Sequence, residues 1–275
     1  SFPPVGSASH KQSAWDRPDL LADKLLVQCK LVDARQKAAF LAASAPHAGE
    51  WLSVLPIVSC GLRLDDEAIR VAVALRLGLE LCVPHTCRCG SQVDAWGLHA
   101  FVCKRAPGRI MRHQSINDLI CRAFVLAGVP AMKEPTGLLR THNKRPDGVT
   151  LIPWQRGKPA TWDVTVASTL ADSYVNSSAE SAGTAAELAP TRKTAKYTSL
   201  PASHSFHPIA LEPHGPINHS AVDFLTDLGH RISSVTGEER EKQFLFQRIA
   251  VVLQRFNAVL LHDSFELREE DDLDL

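Results

Sequence analysis

The chain has 275 residues, 45% of them hydrophobic, and its 30 Lys and Arg balance its 30 Asp and Glu at a formal net charge of zero. That length and apolar content exclude a disordered chain and allow one main domain with smaller attached pieces. Seven cysteines, an odd number, with no apolar leader argue against a secreted disulfide framework and for a reducing, intracellular setting. Arg70, Arg76 and Glu80 interrupt the most hydrophobic stretch, so no membrane span is expected. The opening Ser1, not Met, fits either a processed chain or a piece of a longer product.

In chain order, residues 1–13 read as a flexible lead-in, and apolar positions from Leu21 to Phe40 recur at helical spacing, giving one or two helices from Pro18 to about Ala43. Trp51 to Pro56 is an apolar connector. Asp65, Asp66 and Glu67 open a helix through Ile69, Val73 and Leu77 that Gly78 ends, with acids where the helix dipole favours them. A cysteine- and histidine-bearing loop segment follows, then a helix from about Ser115 to Ala127 closed by Gly128, and a strand from Val129 to Glu134. Val149–Ile152 and Thr161–Val166 are β-branched runs separated by Gln155–Pro159, a turn composition, and should pair as an antiparallel hairpin. Ala179 to Leu200 has a long helical pattern interrupted at Pro190. A strand from Phe206 to Leu211, a helix from Val222 to Ile232 and an amphipathic helix from about Glu238 to Leu261 complete the order. The expected fold class is α/β, a central mixed sheet flanked by helices.

Charge is unevenly spread. From Lys104 to Arg145 nine Lys and Arg face only Asp118 and Glu134, an excess of seven positive charges, whereas Asp263 to Leu275 carries seven acids and one Arg. A basic stretch leading into carboxylates offsets repulsion between a phosphate backbone and an acidic site. Arg109, Arg112, His113, Lys144 and Arg145 are therefore the candidate DNA contacts. Cys87, Cys89, His99 and Cys103 form CxCx9Hx3C, four ligands within seventeen positions that suit tetrahedral Zn²⁺. With four protein ligands such a site is structural, since no position is left for a reacting water.

The candidate chemistry lies in Asp147, within Arg145-Pro146-Asp147-Gly148, and Asp163, within Trp162-Asp163-Val164-Thr165-Val166. Folding the hairpin about its turn sets the two within a residue or two of facing each other, where cross-strand Cβ atoms are about 5 Å apart. That separation suits a shared Mg²⁺. Glu134, one strand earlier, is a candidate third carboxylate. Lys193 and Lys196, three apart on one helical face, are candidates for stabilising charge on a phosphate.

Taken together, the ordered set Cys87/Cys89/His99/Cys103, Arg112-His113, Glu134-Pro135, Arg145-Pro146-Asp147, Asp163-Val164-Thr165 and Lys196-Tyr197 resembles the C-terminal part of non-LTR retrotransposon polyproteins. The resemblance implies a CCHC knuckle followed by a restriction-like endonuclease of the PD-(D/E)xK class. It further implies nicking of target DNA to prime reverse transcription, nuclear residence, and DNA, with the element's RNA admissible, as partner. On it the chain divides into a flexible start and helical linker (1–80), the knuckle and basic segment (81–112), the endonuclease domain (113–262) and an acidic tail (263–275). Thr165 stands where such a motif puts its lysine, so the lysine must come from the later helix. Leu64-Asp65-Asp66 is no polymerase signature, and this chain is not expected to polymerise. A catalytically inactive nucleic-acid-binding module of the same origin is the alternative reading.

Overall fold

Helices at the start of the chain form where local signals ask for them. The structure is a computed structural model that describes residues 12–138, 145–197 and 203–265. Residues 1–11 of the expected lead-in, Arg140, Lys144 and the acidic tail from residue 266 lie outside the described residues. The first apolar stretch forms two helices, α1 (Gln12–Lys30) and α2 (Ala34–Ala43). Asp33 caps α2 by accepting the Gln36 N–H at 2.9 Å. Asp65 caps α3 (Asp66–Leu77) through the Ala68 N–H at 2.7 Å, and Gly78 closes that helix in the left-handed region, at φ 69°. A short antiparallel hairpin of β1 (His85–Thr86) and β2 (Gln92–Val93) then leads into α4 (Leu98–Val102).

The next helix departs from expectation. α5 (Gly108–Leu126) begins seven residues before Ser115, so the boundary expected between residues 112 and 113 falls inside it. Its first N–H groups are met from afar: the Asp263 carboxylate accepts the Gly108 N–H at 2.7 Å across 155 residues. Nothing local to Gly108 announces such a cap.

Four strands form one mixed sheet in the order β3 (Ala131–Lys133), β4 (Gly148–Thr150), β5 (Ala160–Val166), β6 (Ser205–Leu211). β3, β4 and β5 are antiparallel neighbours, as the hairpin reading required, and β6 runs parallel to β5. The hairpin turn has Arg156 and Gly157 at φ 49° and 72°, the paired positive values whose twist matches the flanking strands. β4 stops at Thr150, two residues before the expected Ile152, because the Thr150 hydroxyl takes the Ala160 N–H at 2.9 Å in place of a ladder bond.

A parallel β5–β6 pair demands a crossover, which α6 (Val175–Ser178) and α7 (Thr184–Lys196) supply. α7 continues through Pro190, where a break was expected. Ala186 and Ala189 bury against Ala210 of β6, and the buried Glu212 carboxylate accepts the Ala186 N–H at 2.9 Å near the N-terminus of α7, so packing overrides the missing donor.

α8 (His219–Thr236) and α5 cover the other face of the sheet, and α9 (Glu241–His262) packs on both of them. Trp162, Val164, Ile209 and Leu211 meet Ile116, Phe124 and Leu225 there in the main core. A second core joins Leu64, Val71 and Leu75 from α3 and Cys87, Phe101 and Cys103 around α4 to Val251, Leu260 and Leu261 of α9. The segments expected as linker (1–80) and knuckle (81–112) thus share buried surface with the last helix of the expected third domain. α9 is also the helix long and apolar enough, among the described residues, to cross a membrane, a property the sequence reading had denied to every stretch; 72% of that span is buried in protein.

Gly148 sits against the Trp162 ring, where an added Cβ would lie 2.0 Å from Cζ2. Gly148→Ala is expected to lower unfolding free energy by about 1–3 kcal/mol or more, read as a lower urea midpoint with unchanged m.

Candidate active site

β4 pairs with β5 only as far as Gly148↔Trp162, and continuing the register by one residue sets Asp147 opposite Asp163, as the hairpin reading anticipated. Beyond that point β5 runs on to Val166 against β6 alone. The Val164 N–H on the vacated edge has no strand partner, and Asp147 Oδ2 accepts it at 2.6 Å. The same oxygen lies 2.8 Å from His113 Nε2 on α5. One helical turn on, Asn117 donates from Nδ2 to the Asp147 carbonyl at 2.9 Å and accepts the Trp162 indole N–H at 2.8 Å. Asn117 therefore pins both aspartate-bearing strands to α5.

Period two along β5 turns Trp162 and Val164 into the main core and sends Asp163 towards α7. Asp163 is only 2% exposed. An isolated carboxylate at such depth would be costly, and here the Lys193 ammonium meets Oδ1 while the Tyr197 hydroxyl meets Oδ2. Burial, reinforced by that hydrogen bond, pushes the Tyr197 phenol well above its ordinary range, which keeps it a proton donor at neutral pH and not a base. The hydrogen bond to Asp147 raises the His113 imidazole above its usual value against the opposing effect of burial. Two carboxylates thus face two potential cations across the splayed strand end.

The structure brings Asp147, Asp163, Lys193 and His113 together, and it lines one open cleft of about 390 Å³ with Lys104, Arg109, Arg112, His113, Thr165 and Lys193. Arg145 is exposed and is not among the residues that line the cleft; its carbonyl accepts the Tyr197 hydroxyl at 2.7 Å. Lys144, and the side chain of Lys196, lie outside the described residues. Glu134 does not join the pair. Its backbone takes φ 46° at the end of β3 and its side chain is exposed, while only its N–H reaches Asp147, at the carbonyl, 3.0 Å away. No group of three close carboxylate or histidine ligands forms there among the described residues.

The contacts of Asn117 with Asp147 and Trp162, and of Tyr197 with Asp163, were not among the expectations. Spacing held the signal: His113 and Asn117, like Lys193 and Tyr197, stand four apart and so share a helix face or its continuation.

The second site is a ligand cluster. Cys87 and Cys89 lie in the turn between β1 and β2, and His99 and Cys103 lie one turn apart on α4 and its end. Their ligand atoms all lie within 4.8 Å of one another, so the four could hold a metal ion. Cys87 Sγ and Cys103 Sγ are 3.8 Å apart, close to the edge of about 3.8 Å expected for a tetrahedron with 2.3 Å zinc–sulfur bonds. Hydrogen bonding to Ser91 draws the Cys89 thiol down to about 6, so it is a thiolate at neutral pH, 3.0 Å from His99 Nε2. Burial pushes Cys87 up to about 11. Filling the site must therefore release a proton from Cys87.

No protein-family model and no curated protein matches this chain.

With its pKa raised in the folded chain, the His113–Asp147 pair contributes its stability in full below the unfolded value of about 6.5 and loses it as pH rises through the folded value. The His113 ring protons are expected to titrate in NMR above that reference. Asp147→Asn should bring the midpoint back down; an unmoved midpoint would remove Asp147 as the cause.

Proposed function

We propose that this chain is a metal-dependent endodeoxyribonuclease of PD-(D/E)xK type, the restriction-like endonuclease region of a non-LTR retroelement protein. The observation that carries the reading is the meeting of Asp147, Asp163 and Lys193 at the splayed end of β4 and β5, beside a cleft lined with basic side chains. The mixed sheet with helices on both faces supports the restriction-like assignment. DNA is the substrate, nicked to prime reverse transcription by a polymerase region outside this sequence, and the resemblance makes the nucleus the compartment.

Asp147 and Asp163 offer the oxygen donors a hard Mg²⁺ requires. Bound Mg²⁺ would polarise a scissile phosphate and lower the pKa of attacking water. Lys193, held on Asp163, stabilises charge that develops on the phosphate, and Lys196, on the same helix, is the other candidate for that task. Asn117 and the Val164 N–H fix the orientation of Asp147, while His113 holds a proton against Oδ2 that a cation would displace. In the second site Cys87, Cys89, His99 and Cys103 hold a structural Zn²⁺ that organises the hairpin and α4.

One observation favours the inactive nucleic-acid-binding alternative. Both Asp163 oxygens are already engaged by Lys193 and Tyr197, and Glu134 stays exposed.

Nicking of supercoiled plasmid separates the readings. The wild type should nick only with Mg²⁺, Asp163→Asn should lose activity at least about a hundredfold, and Lys193→Met should lose about 10²–10³-fold. Duplex binding without metal-dependent nicking would favour the alternative. Elemental analysis should find one zinc per chain, and Cys103→Ser should lower both zinc content and melting temperature; full zinc retention in that variant would contradict the ligand set.

A further inference from the structure

Arg112 is the least expected side chain in the cleft. It lies on α5 next to His113, is 3% exposed, and its Nη1 has no hydrogen-bond partner among the described residues. No carboxylate among the described residues pairs with it. Burial, and then the like charge of Arg109, pull the guanidinium down to about 10, a large departure for a group that proteins almost never deprotonate. A buried guanidinium without a counter-charge is costly, and such costs persist where an absent anion offsets them. Lys104 and Arg109 line the same cleft wall, as does Lys193. Three cations beyond the one held by Asp163 exceed what two carboxylates need, and Asp147 and Asp163 are both already matched.

We propose that Arg112, with Arg109 and Lys104, forms a phosphate subsite that seats a non-scissile phosphate of the DNA strand whose scissile phosphate lies at Asp147 and Asp163. The inference rests on the nuclease reading for its substrate, but the subsite itself follows from the buried guanidinium. A guanidinium presents a planar fork that meets two phosphate oxygens at once, which a lysine cannot do. Because Arg112 adjoins His113 on the helix that also carries Asn117, a phosphate seated there fixes the strand relative to the carboxylates, and its contribution is register in addition to affinity.

The test uses the full chain and inorganic phosphate as the probe, in buffer without added Mg²⁺, with melting temperature as readout. The wild type should be stabilised by phosphate in a saturable manner. Arg112→Met should keep or raise the melting temperature in phosphate-free buffer, since a buried unpaired charge has been replaced by an apolar chain of similar length, and should weaken apparent phosphate affinity at least about tenfold. Arg112→Lys should recover only part of the response. A lowered melting temperature in phosphate-free buffer with an unchanged phosphate response would make Arg112 structural and overturn the proposal. A phosphate response that emerges only when Glu269, Glu270, Asp271 and Asp272 are changed to their amides would assign the pocket to the chain's own acidic tail, and would overturn it as well. Failure of the nuclease reading looks different: no Mg²⁺-dependent nicking, with the Arg112-dependent phosphate response intact.

Discussion

A 22-residue helix buried along most of its surface has to be covered on several sides, and much of this protein is arranged to cover α9. Its Leu245, Phe246 and Ile249 complete the core under the sheet, while Val251, Ala258, Leu260 and Leu261 complete the core that holds α3 and the metal-ligand cluster. Burial of those apolar side chains stabilises both cores at once. It makes the ligand cluster and the sheet parts of one packed body. Ser264, just beyond α9, accepts the Arg88 N–H at 3.3 Å and meets His85 Nε2 at 2.9 Å, and Asp263 caps α5. The end of α9 therefore fixes both the hairpin that carries Cys87 and Cys89 and the start of the helix that carries Arg109, Arg112 and His113.

From that anchor the candidate site follows in short steps. α5, set by its distant cap and by burial of Ile116, Ile120 and Phe124, presents His113 and Asn117 to the sheet. Asn117 ties β4 to β5 just where the two strands part, and the freed Val164 N–H is satisfied by the Asp147 carboxylate. On the opposite face Glu212 holds the N-terminal end of α7, whose last turns deliver Lys193 and lead to Tyr197 at Asp163. The carboxylate pair is thus gripped from both faces of the sheet. Pre-organisation of this kind is what an electrostatic catalyst needs, since its charges must not rearrange as the reaction proceeds.

Much of this was legible in the sequence, for reasons that differ by element. Helices with local caps, such as α2 and α3, and the β4–β5 hairpin with its Arg156-Gly157 turn, carry their signals within a few residues. The facing of Asp147 and Asp163 followed from the hairpin alone. What escaped depends on residues far apart in the chain: the Asp263 cap that starts α5 at Gly108, the Ala210 and Glu212 contacts that carry α7 through Pro190, and the fusion of linker and cluster with α9. Glu134 escaped for a local reason, a left-handed backbone at a non-glycine residue, which its side chain gives no hint of. Arg112 had been singled out for its charge, but its burial could not be read without the fold.

The central claim is that Asp147 and Asp163 share a divalent cation. Paramagnetic relaxation by Mn²⁺ tests it directly, because the Val164 amide and the His113 ring both lie on Asp147 Oδ2. Substoichiometric Mn²⁺ should broaden the Val164 amide and His113 ring signals first, excess Mg²⁺ should restore them, and Asp163→Asn should abolish the effect. Broadening that spares Val164 and His113 while reaching other parts of the protein would contradict the claim.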